Sequence, residues 1–207
     1  MKLKILLCVS IFLCNNLFSQ TQKAIEIIKQ FEEKNKEYKN ISLNFDINIQ
    51  NETENQYQNG RLIIEKNRFI LDIQDQLNIC DGEIEWRYLK NVNEVQIMKY
   101  KPKNHAIDPN ILFQIHKKGN NYIYIENTSA EKKNTHTIDI ENKWTMPSSK
   151  IRLEINQKNF QLESLTFYDR NGISYKYKIK SFSTDIKSPD FNFNTEAYPN
   201  IEIIDLR

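Results

Sequence analysis

Ile41-Ser-Leu-Asn-Phe-Asp-Ile-Asn-Ile49 alternates strictly between apolar and polar residues. Successive side chains of a strand point to opposite faces, so this stretch is a strand with one dry face and one wet face. The same period of two recurs downstream. Leu62 and Ile64 show it, then Phe69, Leu71 and Ile73, then Ile84, Trp86 and Tyr88, then Val95 and Ile97. Further segments follow at 122–125, 138–140, 151–155, 162–168 and 175–179. Asp81-Gly82 and the 169–172 stretch supply hairpin turns between them. The pattern predicts a mainly β chain: an antiparallel meander of about ten or eleven strands, long enough to curl or close on itself.

Two segments break the β period. Over 22–38, Ala24, Ile27, Ile28, Phe31 and Tyr38 share one helical face, and Thr21 is placed to cap the start. The segment Asp108-Pro-Asn-Ile-Leu-Phe-Gln-Ile-His-Lys-Lys-Gly119 reads as a short helix. Asp108 fits its N-cap, Pro109 its first turn, Lys117 and Lys118 its last turn, and Gly119 the position beyond. Ile111, Leu112 and Ile115 form its apolar face, with Phe113 beside them. A short apolar-faced helix set between strands has something to cover.

Residues 1–19 have a basic start at Lys2 and Lys4, an apolar run from Ile5 to Leu13, and a small residue at Ser19. This is the pattern of an export leader, cleaved near Ser19/Gln20. The run is too short to span a bilayer, which takes about 20 residues. The chain has 29 Lys and Arg against 27 Asp and Glu. Two of the basic residues belong to the leader, so the remainder carries no net charge. That balance offers nothing to nucleic acid or to an anionic membrane surface. Cys8 and Cys14 lie in the leader, and Leu13 before Cys14 is too large for a lipidation site. Cys80 then stands alone, which argues against a disulfide scaffold.

The motifs of common catalysis are missing. Gly60, Gly82, Gly119 and Gly172 are far apart, so neither a P-loop nor a dinucleotide fingerprint is present. There is no nucleophile elbow. His105, His116 and His136 sit in no zinc-ligand spacing. The expectation is a protein without metal or cofactor, and not an enzyme. A facing carboxylate pair of the kind glycosidases use stays open, because spacing alone does not reveal one.

Four segments together resemble a known family. They are Gly60-Arg-Leu-Ile-Ile-Glu-Lys-Asn-Arg-Phe69, Cys80-Asp-Gly-Glu-Ile-Glu-Trp-Arg-Tyr88, Asp108-Pro-Asn-Ile-Leu-Phe113, and the ending from Asp190-Phe-Asn-Phe-Asn through Tyr198-Pro-Asn-Ile-Glu-Ile-Ile-Asp-Leu-Arg207. Their order and spacing, with the leader and first helix, are similar to the LolA-like periplasmic lipoprotein carriers, in the form found in Bacteroidetes-type bacteria. The resemblance implies an incomplete, unclosed antiparallel β-barrel of about 11 strands with an N-terminal helix and a short inserted lid helix. It implies one carrier domain over 20–207 in the periplasm, acting as a monomer. Its partners would be acylated lipoproteins, an inner-membrane lipoprotein-releasing ABC transporter and an outer-membrane acceptor.

On this reading Phe45, Ile47, Leu62, Ile64, Phe69, Leu71, Ile73, Trp86 and Tyr88 line a lipid-binding cavity. Ile111, Leu112, Phe113 and Ile115 form the lid. Many family members carry a basic residue followed by proline at the start of the third strand, linked to opening and loading. The matching stretch here, Lys66-Asn67-Arg68, lacks the proline, and Lys66 or Arg68 takes the basic role. Inward apolar residues of a β protein are by default packed core. An aromatic share of 11% and the lid-like helix favour a lined cavity. Two other readings use the same residues: a lipid- or lipoprotein-sensing module on this scaffold, and a secreted hydrolase.

Overall fold

A computed structural model describes residues 20–101, 120–141 and 148–207. The leader and the segment read as a lid, with Ile111, Leu112, Phe113 and Ile115, lie outside the described residues.

The helix α1 covers 20–36. It starts before Thr21, which is therefore inside it and not its cap, and it ends before Tyr38. Tyr38 still packs on the core, edge-on to Phe182 at 6.0 Å between ring centres. Among the described residues twelve strands follow: β1 (Ile41–Gln50), β2 (Asn55–Glu65), β3 (Arg68–Ile73), β4 (Gln76–Cys80), β5 (Ile84–Leu89), β6 (Glu94–Lys99), β7 (Asn121–Ile125), β8 (Thr135–Glu141), β9 (Ser148–Asn156), β10 (Leu162–Asp169), β11 (Ser174–Thr184) and β12 (Glu202–Asp205).

They form one sheet in the order β12-β6-β5-β4-β3-β2-β1-β11-β10-β9-β8-β7. Among the described residues no ladder joins β12 to β7, and the sheet is open there, as an unclosed barrel requires. The N-terminal strand β1 lies in its middle and pairs with both β2 and β11. The meander expectation needs two corrections. β6 and β7 are consecutive among the described strands but lie far apart in the sheet, with β1 and β11 paired between them. β12 runs parallel to β6, with Ile203 opposite Val95. Its four positions are mostly exposed and lack apolar–polar alternation, so periodicity does not reveal it.

Residues directly opposite in a ladder share a face. The face covered by α1, here the inner face, can therefore be followed across the sheet. From β8 to β1 one row reads Ile138, Leu153, Leu165, Tyr177, Ile47, and from β11 to β3 another reads Phe182, Leu43, Leu62, Leu71. Ala24, Ile27, Ile28 and Phe31 of α1 join these residues in one buried cluster. Each fully buried aliphatic or aromatic side chain contributes about 1.5–3 kcal/mol.

Beyond β3 the polarity of the sheet inverts. On the inner face β4–β6 carry Gln76, Asn78, Glu85, Arg87 and Gln96. Asn78 donates to Glu85 at 3.3 Å, and Arg87 pairs with Glu85 at 3.6 Å. The apolar row now lies on the outer face, as Ile63, Ile70, Ile79, Trp86 and Ile97. A second core of Ile79, Tyr88, Val95 and Phe193 forms there, closed by Tyr198 and Ile201 of the C-terminal segment.

Candidate functional site

The inner face of β1–β3 and β7–β11 is a continuous apolar wall. Phe45, Ile47, Leu62, Ile64, Phe69 and Leu71 are buried in it, and Ile73 packs at its margin. Sequence reasoning brought these seven together and so does the fold. It left out the other half of the wall, which includes Tyr124, Ile140, Leu153, Leu165, Phe167 and Tyr177. The period-two signal for that half is equally clear in the sequence. Tyr177 is the junction, edge-on to Phe45 at 5.6 Å and to Phe167 at 5.9 Å. Burial pushes its phenol well above the usual tyrosine range.

Gly60 shapes the wall where β2 crosses Phe45. A Cβ there would lie 2.6 Å from Cε2 of Phe45 and 2.9 Å from Cγ2 of Ile73. The Phe45 ring thus occupies the space of the missing side chain, a close approach that glycine permits in a strand. Gly60→Val is expected to cost about 1–3 kcal/mol through overpacking, read as a lowered urea midpoint at unchanged m-value. An unshifted midpoint would mean that the ring is free to swing away.

Trp86 and Tyr88 do not belong to this wall, which corrects the expected cavity lining. Trp86 is opposite Ile79, and Tyr88 is opposite Leu77, on the outer face. The Tyr88 ring lies 4.5 Å from that of Tyr198 and 5.6 Å from that of Phe193, and its hydroxyl donates to Asn93 at 3.0 Å. The residues of β5 alternate as their sequence predicts, but its apolar side faces outward. A hairpin's phase relative to its neighbours is set by turn geometry. Here Asp81 accepts from the amides of Glu83 and Ile84 at 2.8 Å, and Gly82 takes φ +104°.

Lys66 and Arg68 also sit away from the wall. Lys66 is exposed in the β2–β3 turn with φ +57°. Arg68 donates to Glu65 on the outer face and stacks on Phe191 at 4.5 Å. The buried Glu65 is held below the usual carboxylate range by a hydrogen bond from the Ser188 side chain, against the opposing effect of burial and with help from Asn40 and Arg68. Asn40 also grips the backbone of Ile186, accepting from its amide at 2.8 Å and donating to its carbonyl at 3.0 Å. Together these contacts anchor the start of the C-terminal segment to the back of the sheet.

At the β7–β8 end, α1 meets the wall through a polar contact. Lys23 lies 3.8 Å above the Tyr124 ring, and the Tyr124 hydroxyl is 3.3 Å from Nδ1 of His136. Burial, then the charge of Lys23, lowers the His136 pKa. The folded state therefore favours neutral imidazole. Its contribution is complete above the ordinary histidine pKa of about 6.5 and is lost as pH falls below that value toward the folded one. The melting temperature should fall on acidification from pH 7 to 5, and His136→Gln should flatten that slope. Glu65, Asp139 and Glu154 all have lowered pKa values. Their contributions are lost only near and below the carboxylate range, so the two effects separate. An identical slope in the variant would remove His136 from the account.

Among the described residues no group of three His, Cys, Asp or Glu side chains is placed to hold a metal ion. Also among them, no helix is long and apolar enough to cross a membrane.

Comparison with known proteins gives a fold likeness. No family model matches the chain. An uncharacterized protein of Methanocaldococcus jannaschii is 26% identical over 200 residues, and the match takes in 90% of this chain and 57% of that protein's length. This chain thus spans little more than half of that relative. Among solved structures it is similar to an uncharacterized conserved protein from Thermus thermophilus, with TM-score 0.55 and 10% identity, covering 88% of this chain and 99% of the other. That likeness is one of fold. A putative outer membrane lipoprotein-sorting protein domain from Vibrio parahaemolyticus aligns with TM-score 0.48 and 10% identity, over 86% and 99% of the two chains. A LolA superfamily protein from Nitrosomonas europaea aligns with TM-score 0.46 and 12% identity, over 82% and 97%.

Proposed function

We propose that the chain is a carrier for the acyl chains of lipoproteins, taking them up against the inner wall and conveying them between membranes. The observation that carries this reading is the wall itself. It is apolar across β7–β11 and β1–β3, and the helix described over it, α1, brings Ala24, Ile27, Ile28 and Phe31. The sequence resemblance to the LolA-like family supports it as well. Acyl burial is worth about 0.8 kcal/mol per CH₂, so a lipoprotein crossing water needs such a surface. Cargo would replace the contacts of α1 with contacts of its own. The helix then competes with the acyl chain, which favours release as well as uptake.

In the same proposal, residues 1–19 are the cleaved leader, 20–207 form one carrier domain, and the site of action is the periplasm. Loading comes from an inner-membrane ABC transporter, and delivery is to an outer-membrane acceptor. The protein acts as a monomer and catalyses no reaction. The test uses inner-membrane vesicles containing the transporter and labelled lipoproteins. On addition of ATP and the purified protein, lipoprotein should move to the soluble fraction in a complex with it. Retention of every lipoprotein on the vesicles would overturn the carrier reading.

A further inference from the structure

The outer face of β8–β11 and β1 carries a row of polar side chains that the inner wall does not use. Across five strands, directly opposite one another, stand Asn48, Lys176, Thr166, Arg152 and Asp139. Arg152 gives Nε and Nη2 to Asp139, at 2.6 and 2.8 Å. Its Nη1 is unclaimed among the described residues. Beside this row Glu154 is almost fully buried and accepts from Lys132 and Ser164, with Lys176 at 3.8 Å. Lys150 lies 3.3 Å from Asp139 and 4.5 Å above the Tyr168 ring.

Beside these groups is a hollow of about 230 Å³ whose walls include Asn48, Lys132, Arg152, Tyr168 and Lys176, with Glu154 as the one carboxylate among them, itself held by Lys132 and Ser164. Two features mark it as more than a self-neutralising network. Four basic side chains, Lys132, Lys150, Arg152 and Lys176, face two carboxylates, Asp139 and Glu154. And Oδ1 of Asn48, in the wall, is buried with no hydrogen-bond partner. An unmet buried polar atom is costly. The O and N of an amide are assigned by their surroundings, and a half-turn of Asn48 exchanges an orphaned acceptor for a donor.

We propose that this hollow is an anion site, taking a phosphate or phosphate-monoester group between Lys176, Nη1 of Arg152 and the Asn48 amide. Donors converge on it from β1, β9 and β11, which suits a tetrahedral oxyanion better than the planar fork of a carboxylate. Asp139 holds the guanidinium in place from behind, so Arg152 reaches the anion without being reoriented. The site lies on the opposite face from the acyl wall and stands independently of the carrier reading.

The test is calorimetric titration of the full chain with inorganic phosphate at fixed ionic strength, against chloride. Saturable phosphate binding is expected, with none for chloride. Charge-assisted contacts of this kind are worth about tenfold or more in affinity, so Lys176→Gln should weaken binding by about that factor. Asn48→Asp should abolish it while keeping the wild-type melting temperature, because the new carboxylate faces Lys176. Phosphate heats equal to those of chloride, or an unchanged Kd in either folded variant, would overturn the proposal. Flotation with phosphatidylcholine vesicles, with and without phosphatidic acid, identifies the source. Co-flotation that free phosphate competes away assigns a lipid headgroup. Saturable binding of soluble phosphate without co-flotation assigns a free phosphate or phosphomonoester.

Discussion

Phe31→Ala is expected to lower the unfolding free energy by about 3–5 kcal/mol and, at the same time, to increase affinity for a fluorescent fatty acid. Phe31 is 1% exposed in the single helix described over the wall. Truncation removes the largest group that α1 sets against the sheet. The folded state loses its contacts, while an acyl chain gains the space. Urea denaturation reads the first effect and probe titration the second. The opposite signs are the point of the experiment. If binding and stability fall together, the wall is an ordinary core and the helix one of its fixed layers. Ile28→Val, at about 0.5–1.5 kcal/mol, gives a milder variant that stays folded for the same titration.

Tyr88→Ala is expected to be as destabilising, about 3–5 kcal/mol by the same large-to-small reasoning, but to leave acyl binding unchanged in the folded population. Tyr88 joins Phe193 and Tyr198 of the C-terminal segment to the back of β5. Without it, the segment that ends in β12 is held by its anchor at Asn40, Glu65 and Arg68 and by the β6 ladder. Limited proteolysis should then cut within 192–201 well below the global melting temperature. A protected tail, or a loss of probe binding at full folding, would return Tyr88 to the cargo surface.

The dry faces of the strands were legible because period two is a local signal and the strands are buried on one side. That is why Phe45, Ile47, Leu62, Ile64, Phe69 and Leu71 fall where the alternation puts them. What the alternation cannot carry is the phase between strands. Trp86 and Tyr88 alternate as well as Phe69 and Leu71 do, yet they point to the other side, because the C-terminal segment offers them a partner there. β12 was illegible for a related reason: an edge strand with Ile203 52% exposed has no dry face to announce it. Arg68 carried a sequence signal of position only. Its work is defined by Glu65, and by Phe191, which is 123 positions further along the chain. The proposed anion site gave no motif at all, since its members come from β1, β9 and β11 and meet only through the ladders.

The central place of β1 has a consequence for how the molecule is made. Asn44 donates to Ser181, 137 residues downstream, and β1 has no neighbour on that side until β11 exists. A chain that crosses a membrane N-terminus first would present Ile41–Gln50 with one edge open for most of its passage. Ile79, Tyr88 and Val95 also wait, until Phe193 and Tyr198 arrive. Such non-local closure makes folding slow, and slow closure leaves apolar edges available for aggregation. If the chain is exported as proposed, the demand on holding factors should therefore be greatest during export. Pulse-chase protease protection should show the β1–β11 pairing and the second core maturing together, late, and after the β2–β3 hairpin.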